Sequence, residues 1–563
     1  MKKIKQILFG FLFILVAASC TENFDDINTE QTGFNSDEVS AKFFLTSTQV
    51  ELYGPSRFTY WRAQLIHADR YAGQFNLGHS GSWWDDGLSY SYNTAYTDAT
   101  YDWLADHFGS IKSFGDLTAT GGDLENEYMY AMSLIMKGLF FQKYTDIFGM
   151  VPFSEAGVDG ILTPKYDTQK DIYKGIIADL DEAISLIGST ERTGVGVNDA
   201  AENDVYCGGD LQQWKRLANT LKLRIGMRAL GSPGDDFATG VINAAMAAPL
   251  LDEVSGSVVM KKDFVIRGST SSYGDIWWDF GDADGAQWTL SNILINLLKD
   301  NNDPRLTKYA NPAGGGMFEF EDNAGDATKH QERLDFIVAT LDDAGANYTM
   351  TTNGAKTNIE MPAGQFVGQP IRINSNTKSY VKTDLFSPPG DYITHKRGSQ
   401  IDAYQEVILT SAEAYFLQAE ATVRGIGSGD AQALMNLGIK ESMKMWGISD
   451  GEANTYSGSQ AITDISAGTM DEKLEKIATQ RWLASYTDGF EAWSVVRKTG
   501  YPAELAAGVL NSNPTIFALG TLNGEYPQRL RYGTSAQQGN PNFGAALNAQ
   551  GADSQRTTLW FAK

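Results

Sequence analysis

Apolar residues recur at helical spacing in two separate blocks of the chain, and this pattern restricts the possible folds most strongly. In the clearest segment, residues 168–187, one helical face carries Ile172, Ile176, Leu180, Ile184 and Ile187. Thr168 with Asp171 three residues later resembles a capping box, and Gly188 ends the segment. A stripe of this kind is buried against other helices. We therefore expect a mainly α-helical fold.

Further helices are predicted on both sides of an irregular middle region. They cover residues 37–53, 57–75, 124–148, 211–230, 235–247, 408–425, 430–446 and 470–487. Between about 250 and 405, Gly, Asn, Asp, Thr and Ser are dense, which favours loops, short strands such as Val258–Met260 and a few helices such as 289–299. The segment after Tyr501 is again irregular.

Helices that follow one another as pairs suggest a scaffold of tetratricopeptide-like repeats. The sequence has no clean period of about 34 residues, which such repeats normally show. A non-repetitive all-α domain is therefore the alternative.

The first 20 residues have the layout of a lipoprotein signal peptide. Met1–Lys5 is basic, Ile7–Val16 is apolar and Ala17–Ser19 is small, directly before Cys20. The apolar run is shorter than the roughly 20 residues that span a bilayer, so we expect it to be removed. Cys20 would then carry the lipid anchor. An ordinary signal peptide followed by a chance cysteine is the alternative.

Three parts of the chain follow from this layout. Residues 1–19 are predicted to be the signal peptide, and residues 20–36 form a polar tether without helical periodicity. Residues 37–563 form the folded domain, which includes the irregular region at about 250–405.

Cysteine content and charge exclude several classes of protein. Cys207 is the only cysteine besides Cys20, so an acylated Cys20 leaves no intramolecular disulfide. The formal charge is -24, and loss of Lys2, Lys3 and Lys5 leaves 42 basic against 69 acidic residues, a charge of -27. So acidic a chain repels nucleic-acid phosphates and anionic membrane surfaces. We expect no nucleic-acid partner and attachment to the membrane through lipid alone.

Five further segments of the sequence are informative, and they are Asn23–Asn28, Tyr144–Phe153, Ser411–Ala421, Gln480–Pro502 and Pro527–Tyr532. They resemble, in the same order, signatures of the SusD/RagB family of outer-membrane nutrient-binding lipoproteins. The middle third of the chain has no such signature, and ligand specificity is expected to vary there.

The resemblance implies a SusD-like α-helical fold with tetratricopeptide-like helix pairs and an irregular ligand-facing side. It also implies a cell-surface protein that captures oligosaccharides, or in some members peptides, and delivers them to a TonB-dependent SusC-like transporter of the outer membrane. Such a protein uses no cofactor and carries out no chemistry. The motif residues that we interpret as scaffold or core are Glu413, Tyr415, Glu420, Trp482, Phe490 and Trp493.

The first candidate glycan site lies in a Gly- and Ser-rich segment, residues 78–87. Sugar rings stack on aromatic faces, and sugar hydroxyls need polar partners. Trp83, Trp84 and Asp85 offer both, and Tyr90 follows closely. Adjacent tryptophans cannot both face one core. We predict ligand contact here, and packing between layers is the alternative.

The second candidate glycan site has the same composition. It includes Tyr273, Trp277, Trp278 and Asp279, with Arg267 a short distance before them. The same argument about adjacent tryptophans applies. The two clusters together are our predicted ligand-binding residues.

Motifs for metal binding and catalysis are weak. Asp279–Gly285 superficially resembles a calcium loop, but Phe280 and Ser291 occupy ligand positions when its acidic residues are aligned, so no metal is predicted. Neither a His-Glu-x-x-His zinc motif nor a Gly-x-Ser-x-Gly nucleophile motif occurs. Glycoside hydrolysis needs only two suitably placed carboxylates, so a surface glycoside hydrolase stays the enzyme alternative.

Overall fold

The computed structural model describes residues 38–53, 61–77, 90, 94–260, 288–322, 325–394, 405–510 and 512–563. The predicted signal peptide and the tether with Cys20 lie outside these residues, so the predicted domain boundaries stay predictions.

The first half of the described chain is helical. Its helices are α1 (Lys42–Tyr53), α2 (Thr94–Thr118), α3 (Glu127–Phe148), α4 (Gln169–Ile187), α5 (Leu211–Ala229) and α6 (Ala238–Met246), with a π-helical segment at Trp61–Asp69. The Asn126 and Thr168 side chains accept hydrogen bonds from the first turns of α3 and α4. α3 packs between α2 and α4, and α5 packs against α4 and α6.

Short elements alternate in the middle of the chain. The strands of the fold are β1 (Phe75–Leu77), β2 (Val258–Met260), β3 (Trp288–Leu290), β4 (Gly316–Glu321), β5 (Thr349–Asn353), β6 (Lys356–Met361) and β7 (Glu406–Leu409). The helices of this region are α7 (Asn292–Asp300), α8 (Leu306–Tyr309), α9 (Ala327–Asp343), α10 (Ser375–Lys378) and α11 (Asp391–Thr394).

Within the residues described, the strands form three small antiparallel sheets. β1 pairs with β3, β2 pairs with β7, and β4, β6 and β5 form a three-stranded sheet in that order. In β6, Thr357, Ile359 and Met361 are buried at alternate positions. The three-stranded sheet therefore covers the core with one face.

Helices dominate again in the last third of the chain. They are α12 (Ser411–Val423), α13 (Ala431–Lys444), α14 (Asp450–Ser459), α15 (Met470–Ala484), α16 (Gly489–Thr499), α17 (Ala503–Ala506), α18 (Thr534–Gly539) and α19 (Phe543–Gln550). Short 3-10 turns occur along the whole described chain, at Gly196–Asn198, Thr383–Leu385, Ala461–Thr463 and Trp560–Ala562. α12 packs against α13, against α15 and also against α5. This last contact joins the two helical blocks.

The core extends through both helical blocks. In α3, 17 of 22 residues are buried, because helices cover it on several sides. Trp214, Trp482 and Trp493 are fully buried. The prediction of a mainly α-helical fold is confirmed, and α3–α4, α5–α6 and α12–α13 pack as pairs. The classification of these pairs as tetratricopeptide-like stays an interpretation.

Three elements were not located from the sequence. No prediction was made for the segment that forms α2, and α9 and the three-stranded sheet were not located individually within the irregular region, where short strands and a few helices are expected. α2 buries Tyr101, Leu104, Ile111 and Phe114. Packing of these residues stabilises a helix whose Gly, Thr, Ser and Asp residues have low intrinsic helix propensity.

Candidate ligand-binding site

Most predicted ligand residues lie outside the described part of the chain. Trp83, Trp84 and Asp85 lie within residues 78–89, which are not described. The other predicted cluster lies within residues 261–287, also not described, and consists of Arg267, Tyr273, Trp277, Trp278 and Asp279. The structure does describe residues that flank these two segments in the chain.

The β1–β3 pair brings one end of each segment to the same place. In this pair, Leu77 lies opposite Trp288. Residues 78–89 begin directly after Leu77, and residues 261–287 end directly before Trp288. The two predicted tryptophan segments are therefore joined to the fold at neighbouring positions.

Buried hydrogen bonds hold the β1–β3 pair in place. Asn76 Nδ2 donates to the Gln369 carbonyl at 2.8 Å, and Thr289 Oγ1 donates to Gln369 Oε1 at 2.7 Å. All three side chains are buried. Because buried polar groups are costly to leave unpaired, this arrangement opposes displacement of the two strands.

The β2–β7 pair anchors the other end of the second segment. Met260, which directly precedes residues 261–287, lies opposite Glu406. The second segment is thus connected at both ends to a strand that is paired with another strand. Short antiparallel pairs suit this role because their hydrogen bonds fix the chain direction at the point of exit.

Tyr90 belongs to the core in this structure. Its side chain is 1% exposed, and its hydroxyl donates to the Arg70 carbonyl at 2.6 Å. The guanidinium groups of Arg70 and Arg372 lie 5.3 and 5.1 Å from the ring centroid. We correct the sequence-based expectation here, since so enclosed a ring offers no face to a sugar, and we leave Tyr90 out of the proposed site.

Six buried charged residues meet where α3, α5, α12, α15 and α16 pack together. We call this cluster the ionic core, and it consists of Asp146, Arg224, Arg228, Glu413, Arg481 and Glu491. Three arginines face three carboxylates, so the formal charges balance.

Individual contacts in the ionic core are short and shared. Arg228 pairs with both Asp146 and Glu491. Arg481 Nη2 lies 3.2 Å from Glu413 Oε1 and 2.8 Å from Glu491 Oε1. Burial alone would raise the pKa of Glu491, but the charges of the three arginines outweigh burial and lower it.

These contacts show that residues of the family-like sequence motifs join the helices of the scaffold to one another. Asp146, Glu413, Arg481 and Glu491 each lie in one of the family-like segments, and here they contact one another or a shared arginine. Trp482, Phe490 and Trp493 are buried, as the sequence predicted. Sequence reasoning missed Arg224 and Arg228, although two arginines four residues apart on an apolar helix are a detectable signal.

Metal binding has no support within the described ranges. No group of three or more His, Cys, Asp and Glu side chains in these ranges is arranged to hold an ion. The segment Asp279–Gly285, compared above with a calcium loop, lies outside them. None of the helices described is both long and apolar enough to cross a membrane.

The fold is thus a mainly helical scaffold with short strand pairs at Leu77, Met260 and Trp288. Two family models match the chain. One, for starch-binding proteins associating with the outer membrane, matches residues 35–321, and the other, for SusD and RagB outer membrane lipoproteins, matches residues 387–562. The chain therefore belongs to the SusD/RagB family.

Solved structures are similar over nearly the whole length. A chitin-binding protein is 24% identical, with a TM-score of 0.70 and with 93% of this chain and 100% of that chain covered. A SusD homologue from Bacteroides uniformis is 20% identical, with a TM-score of 0.70 and coverage of 93% and 99%. A chitin-binding SusD homologue from Flavobacterium johnsoniae is 21% identical, with a TM-score of 0.70 and coverage of 93% and 98%. These similarities establish the fold. No curated protein matches the chain.

Proposed function

We propose that the protein is a cell-surface glycan-binding lipoprotein that captures oligosaccharides and delivers them to a partner TonB-dependent outer-membrane transporter. Cys20 carries the lipid that holds it in the outer membrane. The protein binds its ligand and carries out no chemistry.

The observation that carries this proposal is the β1–β3 pair. It joins the segments that contain Trp83 and Trp277 to the fold at adjacent positions, Leu77 and Trp288. Aromatic residues from two distant parts of the sequence can then contribute to one binding surface. Several aromatic platforms are needed because each sugar ring contributes only a modest stacking energy.

The family and its solved members support a glycan as the ligand. One matching family model is that of starch-binding proteins, and two similar structures are of chitin-binding proteins. The same family models are of outer-membrane proteins, which supports the proposed location and a membrane-embedded partner. A transporter held in the same membrane would raise the effective concentration of captured ligand, so weak binding suffices.

Affinity electrophoresis through gels that contain a panel of polysaccharides tests glycan binding. We expect at least one polysaccharide to retard the wild-type protein. Trp83→Ala and Trp277→Ala should each reduce this retardation, because removal of a stacking ring costs about 0.5–1.5 kcal/mol, or roughly 2- to 13-fold in affinity.

The matched control removes an exposed aromatic ring elsewhere. Phe44 on α1 is 52% exposed, and Phe44→Ala should migrate as the wild type does. Wild-type migration unaffected by every polysaccharide would refute the proposal. Binding of oligopeptides instead, measured by calorimetry, would favour a peptide cargo, and release of reducing sugar would identify a hydrolase.

Cell fractionation tests the anchor and the partner. We expect the wild-type protein in the outer-membrane fraction, accessible to protease on whole cells, and Cys20→Ser in the soluble fraction, because no other lipid attachment site is predicted. A tagged wild-type protein should co-purify with a TonB-dependent channel. Membrane retention of the serine variant would contradict lipid anchoring.

A further inference from the structure

Two adjoining cavities lie along helix α7. The first, of about 810 Å³, lies between α7, residues 461–479 and the start of α17. The second, of about 450 Å³, lies between α7, α9 and residues 507–517. Ile293 and Glu504 line both cavities, so we treat them as one surface, the α7 groove.

Acidic side chains dominate the charge of the first cavity. Its charged lining consists of Asp300, Asp464, Glu472, Glu475, Glu504 and a single lysine, Lys476. Glu472 is engaged in the capping box of α15, and Asp464 accepts a hydrogen bond from Ser466. The other three carboxylates, on Asp300, Glu475 and Glu504, have no hydrogen-bond or ion-pair partner in the described part of the chain.

Independent of these charges, polar side chains at the groove lack partners. Thr479 is 7% exposed as a residue and lines the first cavity, where its hydroxyl is accessible and makes no hydrogen bond to any residue that the structure describes. The side-chain oxygens of Asn292 and Asn296, one helical turn apart on α7, are also buried without a donor there. Unpaired buried polar atoms are uncommon in native proteins and call for an explanation.

The groove offers many acceptors and few donors. Carboxylate and amide oxygens accept hydrogen bonds, and Asn296 Nδ2 already donates to Asp343 at 2.7 Å. A suitable ligand therefore carries N–H and O–H groups and positive charge. A peptide backbone fits less well, because its carbonyl groups need donors that the groove lacks.

The apolar lining matches a sugar ring. Ile293, Leu297 and Ile462 line the first cavity, and Phe336 and Phe517, 5.3 Å apart and edge to face, line the second. Such surfaces accept the C–H face of a sugar, while the surrounding oxygens accept hydrogen bonds from its hydroxyl and ammonium groups.

We propose that the α7 groove is a second ligand site, which binds an amine-bearing oligosaccharide through the free carboxylates of Asp300, Glu475 and Glu504. The site needs none of the residues in the two tryptophan segments, so it goes beyond the proposed function. Partial burial and the nearby Asp343 raise the pKa of Glu504. A bound ammonium group would oppose this shift, because its positive charge stabilises the ionised carboxylate.

Calorimetry with defined oligosaccharides tests the proposal on the full mature protein. The probe is the glucosamine tetrasaccharide at about pH 6.5, and its N-acetylated counterpart has the same size without the positive charge. We expect the glucosamine oligomer to bind at least about tenfold more tightly. Its affinity should fall several-fold between about 50 mM and about 500 mM salt, because exposed ion pairs are screened.

Variants locate the binding. The double variant Glu475→Gln, Glu504→Gln should weaken the glucosamine oligomer roughly tenfold and leave retardation by neutral polysaccharides unchanged. Asp159 is an exposed acid in the loop between α3 and α4, and Asp159→Asn is the control for loss of a surface charge away from the groove, so it should bind as the wild type does. Trp83→Ala should also keep this affinity, which separates the groove from the proposed tryptophan site.

Three results would overturn the proposal. They are equal or tighter binding of the N-acetylated oligomer, equal loss of affinity in Asp159→Asn, and tighter binding of tetralysine than of the glucosamine oligomer. The last result would identify the groove as a site for basic peptides.

Discussion

The three carboxylates of the ionic core each contact an arginine, whereas Asp300, Glu475 and Glu504 in the α7 groove contact no cation in the described ranges. Both regions concentrate acidic residues brought from distant parts of the sequence. They differ in burial, since the ionic core is enclosed by five helices, whereas Asp300, Glu475 and Glu504 are surface residues and only Glu504 is partly desolvated.

This difference distinguishes charged residues that stabilise the fold from charged residues that remain available to a ligand. A buried carboxylate must have its partner within the protein, because an unpaired buried charge costs several kcal/mol. At a surface, water can solvate an unpaired carboxylate at little cost, so such a group can remain free for a ligand. Removal of a charge should therefore destabilise the ionic core and barely affect the stability of the groove.

The largest expected effect is in the ionic core. Arg228→Ala should lower the free energy of unfolding by about 3–5 kcal/mol, because it leaves the buried carboxylates of Asp146 and Glu491 without their shared partner. Chemical denaturation at neutral pH measures this change.

An exposed ion pair is the control for that variant. Arg556 pairs with Glu525 at the surface, and Arg556→Ala should leave the denaturation midpoint close to that of the wild type. Similar losses in the two variants would show that the ionic core does not hold the helices together.

A smaller effect of opposite sign is expected for Asp488, at the N-terminus of α16. Burial, only partly opposed by Lys143 and Arg224, raises the pKa of Asp488 to about 6. An acid with a raised folded-state pKa is destabilising once ionised, so stability falls as the pH rises from about 4 to about 6. Asp488→Asn, which keeps a good N-cap, should stabilise the protein by about 1–2 kcal/mol above that range.

Denaturation at about pH 4.5 and about pH 7.5 checks this sign. The advantage of the asparagine variant should be smaller at the lower pH, where the wild-type Asp488 is mostly protonated in the folded state. An advantage that grows on acidification would contradict the assignment.

The smallest effect is expected in the groove. Glu504→Gln removes a carboxylate whose pKa is raised by partial burial and by Asp343. It should raise the free energy of unfolding at about pH 8 by less than about 0.5 kcal/mol, and this gain should vanish in acid. Thermal unfolding at both pH values measures it. A large loss of stability would mean that Glu504 is structural and not free for a ligand.

Regular helices were predictable because local periodicity and caps coincide. For α4, residues 168–187 were predicted and Gln169–Ile187 is observed, with Thr168 Oγ1 accepting from the Asp171 amide. For α5, residues 211–230 were predicted and Leu211–Ala229 is observed. In both segments the apolar face is unbroken, so sequence and tertiary packing favour the same structure.

Elements with a short local signal were harder to predict. α9 buries Leu334, Ile337 and Leu341, but its apolar positions are concentrated in its second half, because residues 327–333 contain one apolar residue, Ala327, so the helical pattern covers only about half of the element. Tyr90 was also misassigned, because a tyrosine beside two tryptophans looks like part of the same surface until its hydroxyl is seen to bond to the Arg70 carbonyl.

The sequence by itself determined the helical class, the family and the motif segments that contain Asp146, Glu413, Arg481 and Glu491 of the ionic core. These properties depend on local periodicity, total charge and motifs that are continuous in the chain. Only the tertiary structure decided which distant residues meet. It placed Leu77 beside Trp288, Arg228 between Asp146 and Glu491, and Glu504 in a groove with Glu475, since such contacts depend on how helices and strands pack and leave no local pattern.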